Sequence, residues 1–322
     1  MSSLANQGTN GAPSHRILMV DFVDALGRVS KTDNLLHNLL QKKYEVIVVD
    51  APEVIFFTHY GHRNRLYSCK KIYYSQERYP PDWNQCDAAI TSCFSDHPRA
   101  YYFPFFAAYR EGSLLVRQPG IDWDRILDEK RDFCSFLNKY VDRTVRKRTE
   151  FFRELNRRKR IHAGGPALNN LGCVIADGEA AKMKFLAGFR FHMAFENRLW
   201  PGWTTEKFFD PFRVFSIPIY WGDTHALKYF NPKSFVNVMD FRNFRECCDY
   251  VMHLENDREA YAKMLMEPPY LHNQVPEVFD LDRLLEFLQR EIERPEVPVA
   301  RRRWFWPYTK WRLVKRDRIH GE

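Results

Sequence analysis

The alternation of short, almost wholly apolar runs with amphipathic stretches constrains this chain more than any other feature. From His15 it reads HRILMVDF, a Leu-rich stretch around Leu35, Leu36, Leu39 and Leu40, then YEVIVVD, EVIFFT, KKIYYS and DAAIT. Runs without polar alternation predict strands buried on both faces, which belong to parallel sheets joined by helical or long crossovers. After the loop around Pro119 and Gly120 the pattern restarts. It continues through FCSFLN, a charged helix near residues 144–156, the Gly-rich turn HAGGPALNNLG, a helix near 179–187, FRFHMAF, a further helix, IPIYW and SFVNVM. Two successive βα series predict two Rossmann-like halves with a ligand cleft at the strand carboxyl ends. The limits expected are 1–128 for the first half, 129–292 for the second, and 293–322 for a basic, aromatic tail.

A length of 322 residues allows two cores of ordinary size. Hydrophobic and charged shares of 45% and 28% argue against wholesale disorder and against a multi-span membrane protein. No run approaches the roughly 20 apolar residues of a spanning helix, and MSSLANQGTNGAPSH has no apolar leader core, so a cytoplasmic location is expected. The seven cysteines contain no CxxC pair, which suggests neither a disulfide framework nor a zinc site.

The densest grouping of chemically capable residues is FRFHMAFENRLWPGWTTEKFFDPFRVFSIPIYWGD, residues 189–223. A strand ends near Phe195, with Glu196 and Asn197 at its mouth. A Pro-Gly turn follows, and Thr204 or Thr205 can cap a helix that opens with Glu206 and Lys207. A helix N-terminus facing a strand mouth offers backbone N–H groups and the positive dipole end to an anionic phosphate. A capped surface helix with an exposed Glu-Lys pair has the same spacing, and spacing alone favours that plainer reading.

The segment resembles the donor-binding signature of the α1,3/4-fucosyltransferases, glycosyltransferase family 10, bacterial type. Its elements read FEN (195–197), WTTEK (203–207) and IPIYWG (217–222), and the likeness continues through FNPKSFVNVMDFRNF. Upstream, VIFFTHYGHRNRLYSCKKIYYSQERYPPDWNQCDAAIT resembles the family's acceptor-domain block, so the likeness covers roughly residues 44–265. The resemblance implies a GT-B architecture, two Rossmann-like domains facing across a cleft. It also implies an inverting transfer of L-fucose from GDP-fucose to N-acetylglucosamine or glucose of a lactosamine-type glycan, with α1,3 linkage expected.

The resemblance implies the site residues too. Glu77, in SQER after the KKIYY strand, takes the place of the catalytic carboxylate, with Gln76 and Arg78 where the family has Gly and Asn. Arg148 and Lys207 take the places of the diphosphate-binding cations. Asn197 and Trp203 fall where the nucleotide is contacted, Trp203 replacing a Tyr, and Glu206 falls where sugar or ribose hydroxyls are fixed. Trp203 is equally readable as a packing aromatic, and Glu77 without the resemblance is readable as a solvated surface residue. The donor-binding segment, residues 189–223, contains no Asp-x-Asp metal motif, so no cofactor is expected, with Mn²⁺ at most a non-essential stimulant. The partners implied are GDP-fucose and an acceptor oligosaccharide or glycolipid, as in lipopolysaccharide biosynthesis.

The last 22 residues carry a local charge of +6 out of a total of +8, interleaved with Trp304, Phe305, Trp306, Tyr308 and Trp311. Such a pattern suits peripheral contact with an anionic membrane, and nucleic acid is the rival partner, not the expected one. From another class of function, a catalytically weak glycan- or nucleic-acid-binding protein on a transferase fold fits the departures around Glu77.

Overall fold

The structure, a computed structural model, describes residues 15–28, 30–139 and 146–302. Six strands form a first, wholly parallel sheet: β1 (Arg16–Phe22), β2 (Tyr44–Val48), β3 (Val54–Phe57), β4 (Lys70–Ser75), β5 (Ala88–Thr91) and β6 (Ala100–Tyr102), in the order β2-β1-β3-β4-β5-β6. The apolar runs supply its core face, where Leu18, Val20, Phe56 and Ile72 meet Leu36, Leu39 and Leu40 of α1 (Leu35–Leu40). The opposite face departs from the expected double cover. Ile17, Met19 and Ile47 are 53%, 42% and 39% exposed. The cover supplied on that face by Tyr67, Cys69, Cys86 and Trp83 reaches Val23, Ile55, Phe57, Tyr73 and Ala89, and among the described residues nothing in this cluster covers the β1–β2 end.

The chain then passes through α2 (Phe105–Tyr109) and α3 (Trp123–Glu129) into a second parallel sheet. Its strands are β7 (Asp132–Phe136), β8 (Ile161–Ala163), β9 (Phe189–Phe195), β10 (Ile217–Trp221) and β11 (Val236–Asn237), in the order β11-β10-β9-β7-β8. Helices α4 (Arg146–Asn156), α5 (Glu179–Ala187) and α6 (Glu206–Arg213) connect them. The expected strand SFVNVM shrinks to the two residues of β11, because the Asn237 side chain accepts from the Met239 N–H and turns the chain into a 3-10 segment. Helices α7 (Phe244–Asn256), α8 (Arg258–Met266) and α9 (Leu281–Glu293) complete the described fold.

The second half has an apolar core of its own, but the core of the first half is shared with the second. Helix α6 reads EKFFDPFR and buries every residue from Phe208 to Phe212, as a helix enclosed on two sides requires. Phe208 packs on Tyr220 of β10, while Phe209 stacks with Phe106 of α2, ring centroids 6.2 Å apart. One apolar cluster therefore runs from the first sheet through α6 to the edge of the second. The limit expected at 292 also moves, because α9 returns to the first sheet. Leu284, Leu285, Leu288 and Ile292 join the cluster of α1, and Lys70 Nζ donates to the carbonyls of Glu291, Ile292 and Arg294 at 2.7–2.8 Å. The first half thus consists of residues up to about β6 and α2 together with the last described helix. Arg301 and Arg302 are tied to Ser68 and Glu296, and residues 303–322, the bulk of the expected tail, lie outside the described residues.

Candidate active site

A cleft of about 710 Å³ opens at the carboxyl ends of β7, β8 and β9. One wall is apolar, from Leu137, Pro166, Val174 and Ile175, and the other is ionic, from Arg110, Lys182, Asn197, Glu206 and Lys207. Two loops meet at its floor where only glycine fits: a Cβ on Gly165 would stand 2.3 Å from the Asn138 carbonyl oxygen. The HAGG segment therefore brings the β7 and β8 loops into direct contact beneath the cleft.

The ionic wall is built on the start of α6. Thr205 is the capping residue, its hydroxyl accepting from the Lys207 N–H at 3.4 Å, whereas Thr204 turns away to the Tyr220 hydroxyl at 3.0 Å. Buried Glu196, at the mouth of β9, accepts from the Thr205 N–H and hydroxyl at 2.7 and 2.8 Å, which locks strand end to helix start. Lys207 Nζ lies 3.8 Å from Glu196 and 3.4 Å from Glu206. Burial by itself would depress the Lys207 ammonium, but these two carboxylates outweigh it and hold the pKa above the ordinary lysine range. Burial raises Glu196, only partly countered by Lys207, while Lys207 and Lys182 outweigh burial at Glu206 and lower it. The result is a cation fixed charged at a helix N-terminus inside a cleft.

Glu77, on the loop after β4, is not among the residues that line this cleft. Its N–H donates to Ser75 Oγ at 3.2 Å, and no described residue hydrogen-bonds or ion-pairs with its carboxylate. Partial burial raises its pKa, Arg78 and Lys207 pull it down, and Glu206 pushes it up. The carboxylate of the first half and the Lys207–Glu206 pair of the second are therefore in electrostatic reach of each other. Of the five positions expected on the donor side, Asn197, Glu206 and Lys207 line the cleft. Arg148 and Trp203 support its wall from behind. Arg148, 1% exposed, donates from Nη2 to the Phe195 carbonyl at 2.8 Å and to Asn197 Oδ1 at 2.6 Å, so it sets the orientation of Asn197. Trp203 is buried at the seam between the halves, its indole N–H 3.4 Å from the Gln76 carbonyl and its ring 5.9 Å from the Arg78 guanidinium. The neighbouring Pro201-Gly202 turn is gripped by the first half too, through Phe94 N–H to the Pro201 carbonyl at 2.9 Å and the Tyr102 hydroxyl to the Gly202 carbonyl at 2.6 Å. Gly202 has φ +83°, and a Cβ there would meet Phe94 N at 2.5 Å.

Sequence reasoning missed a second ionic group at the cleft. Asp210 of α6, fully buried, receives Arg110 Nε at 2.8 Å, Arg110 Nη2 at 3.1 Å and Lys182 Nζ at 2.8 Å, and Arg213 lies 3.4 Å away. Arg110 comes from the first half, Lys182 from α5, and both line the cleft. The available signal was Asp210 itself, a lone carboxylate within the apolar run FFDPF, since a buried charge demands partners. Arg110 and Lys182 carried none, as each reads locally as a solvated cation.

Two parallel sheets enclosing a cleft at the strand carboxyl ends, with an ionic wall at a helix N-terminus, define the GT-B class of fold. Solved structures agree. A crystal structure of an alpha1,3-fucosyltransferase matches with a TM-score of 0.74 at 24% identity, covering 91% of this chain and 95% of that one, and its complex with GDP-fucose matches at 0.72. Residues 128–266 match the family described as glycosyltransferase family 10 (fucosyltransferase) C-terminal, and residues 20–109 match the N-terminal domain of the alpha-(1,3)-fucosyltransferase FucT. The chain belongs to glycosyltransferase family 10. It is 30% identical over 275 residues to the alpha-(1,3)-fucosyltransferase FucT of Helicobacter pylori, covering 74% of this chain and 56% of that protein. It is 29% identical over 85 residues to a 3-galactosyl-N-acetylglucosaminide 4-alpha-L-fucosyltransferase of Bos taurus, 26% of this chain and 23% of that protein. The chain thus spans about half the length, or less, of these curated relatives. Among the described residues no helix is long and apolar enough to cross a membrane.

Proposed function

We propose that the chain transfers L-fucose from GDP-fucose to a hydroxyl of an acceptor sugar, with inversion at the anomeric carbon and without an obligatory metal. The observation that carries the reading is the Glu77 carboxylate of the first half, which feels the charges of Lys207 and Glu206 in the second while ion-pairing with neither. The family and the name of the Helicobacter relative supply the sugar, and N-acetylglucosamine or glucose of a lactosamine-type glycan, joined α1,3, is the acceptor tested first.

A sugar hydroxyl is a weak nucleophile until its proton is taken, and a carboxylate raised above its usual pKa by partial burial is suited to take it. The acceptor oxygen attacks the anomeric carbon as the bond from that carbon to the β-phosphate oxygen breaks. Glu77 receives the proton, and GDP departs with the electron pair. One displacement converts a β-linked donor into an α-linked product, the same logic that pairs a single base with inversion in glycoside hydrolysis. Charge develops on the diphosphate, where Lys207 and the positive dipole end of α6 are preorganised to receive it. Arg148 adds its charge from behind Asn197, and the apolar wall of Leu137, Pro166, Val174 and Ile175 suits the flat base.

Incubation with GDP-fucose and N-acetyllactosamine tests this directly. Fucosylated product with α linkage and equimolar GDP is expected, in excess EDTA as well as in Mn²⁺, with Mn²⁺ giving mild stimulation at most. Free GDP without product, or activity abolished by EDTA and restored by metal, overturns the reading. In the same proposal the basic aromatic stretch from Arg301 holds the protein to an anionic bilayer, which co-sedimentation with phosphatidylglycerol vesicles checks.

A further inference from the structure

We propose that His59, Tyr60 and Tyr79 form the platform on which a pyranose ring of the acceptor stacks, presenting its hydroxyl to Glu77. The proposal rests on the fucosyl-transfer reading and adds the acceptor subsite to it. The three rings form one cluster. His59 lies 4.1 Å from Tyr79 in a stacked arrangement tilted by 26°, and 3.8 Å from Tyr60, while Tyr60 and Tyr79 meet edge to face at 6.4 Å.

The outer two rings are bare. Tyr60 is 55% and Tyr79 49% exposed. Large aromatic faces side by side in water gain free energy when a ligand covers them. Tyrosine suits a sugar in particular, since its ring meets the C–H face and its hydroxyl meets the ring's polar rim.

The platform and the carboxylate share one scaffold. Ser75 Oγ accepts from the Glu77 N–H at 3.2 Å and is 3.2 Å from His59 Nδ1. The Tyr79 N–H donates to the Glu77 carbonyl at 2.8 Å, and the Tyr73 hydroxyl donates to the Tyr79 carbonyl at 2.9 Å. Any shift of the rings is thereby transmitted to the residue that would take the proton. His59 Nε2 is buried without a hydrogen-bond partner among the described residues, and burial lowers the pKa of this imidazole, which keeps the cluster uncharged. The Glu77 charge in turn raises the Tyr60 and Tyr109 hydroxyls, although burial is the larger cause at each. Through Ser75 and the Glu77 backbone the rings are tied to the loop that carries the carboxylate, on the first-sheet side.

The test is a KM separation. Tyr60→Ala and Tyr79→Ala are each expected to raise the KM for N-acetyllactosamine roughly ten-fold, the size of effect expected when one stacking ring is removed, while the KM for GDP-fucose stays put. Tyr60→Phe should restore most of the acceptor affinity, and Tyr79→Leu, which keeps bulk without a ring, should behave as Tyr79→Ala does. Unchanged acceptor KM in both alanine variants, or a matching rise in donor KM, overturns the platform. Saturation-transfer NMR with N-acetyllactosamine separates this proposal from the one beneath it. Wild-type binding that is abolished in Tyr60→Ala supports the platform even where no fucose is transferred, and a wild type that neither binds nor fucosylates the disaccharide refutes both.

Discussion

Glu77 shows how far a single residue can be read from sequence. In SQER it has the appearance of a surface glutamate beside an arginine, and only the resemblance of the preceding KKIYY strand singled it out. Its electrostatic coupling to Lys207 is a product of tertiary structure, since the two residues belong to different halves of the chain. Glu77→Gln is expected to leave GDP-fucose affinity intact and to reduce kcat by roughly 100- to 10,000-fold, a result that isothermal titration and initial rates check together. Because partial burial raises the Glu77 pKa, the carboxylate is lost to protonation at a higher pH than an ordinary glutamate. The acid limb of kcat/KM should therefore fall above the usual Glu range and flatten in the variant. Arg148 illustrates the reverse. Its charge is evident in the sequence, but its depth is not, because full burial behind Asn197 depends on the packing of α4 against β9.

Single elements were legible where local chemistry set them. The TTEK start of α6 places a cap followed by an acid, the order a helix N-terminus favours, and the structure uses Thr205 as the cap. Helix C-termini were not legible, because their partners come from afar. Lys130, in the charged run DEKRD, reads as solvated, yet its buried Nζ donates to the Ala187 carbonyl that ends α5, to the Val214 carbonyl that follows α6, and to Ser216 Oγ at 3.4 Å. Lys130→Met removes these bonds and should destabilise the fold by about 1–3 kcal/mol, read from urea midpoints. The pH dependence has a sign as well. Burial lowers the Lys130 pKa to about 7, against about 10.4 for an unfolded lysine. Between those values the unfolded chain binds more protons, so this group favours the folded state increasingly as pH rises. The stability gap between wild type and Lys130→Met should accordingly widen from pH 7 to pH 9.5.

At the scale of the whole molecule the alternation of apolar runs was sufficient for two parallel sheets, but not for how they join. Nothing in the order of βα units discloses that α6 is enclosed by both halves or that α9 crosses back, since each is amphipathic in the ordinary way and the identity of the covering surface is a long-range property. The open flank at Ile17, Met19 and Ile47 escaped notice for the same reason. The contact between Arg110 and Asp210 is the polar counterpart of the phenylalanine seam, a charge of one half held by a buried carboxylate of the other. Arg110→Ala leaves Asp210 with Lys182 and Arg213, so a loss of about 1.5–3 kcal/mol is expected, the range for a hydrogen bond to a charged group. Denaturant unfolding measures it, and a change below a few tenths would mean that this ion pair contributes nothing to holding the halves.

The return of α9 also has a consequence for synthesis. A ribosome finishes β6 roughly 180 residues before it reaches the helix that covers the flank of α1. At about 5–20 residues per second the nascent first sheet waits on the order of ten to thirty-five seconds for its last partner. During that interval Leu36, Leu39 and Leu40 lack the apolar surface of Leu284, Leu285 and Leu288, and a trigger-type chaperone has a defined patch to shield. A nascent chain stalled before Leu281 should therefore be retained by such a chaperone and cleaved readily by protease, and one extended far enough for α9 to clear the exit tunnel should be released.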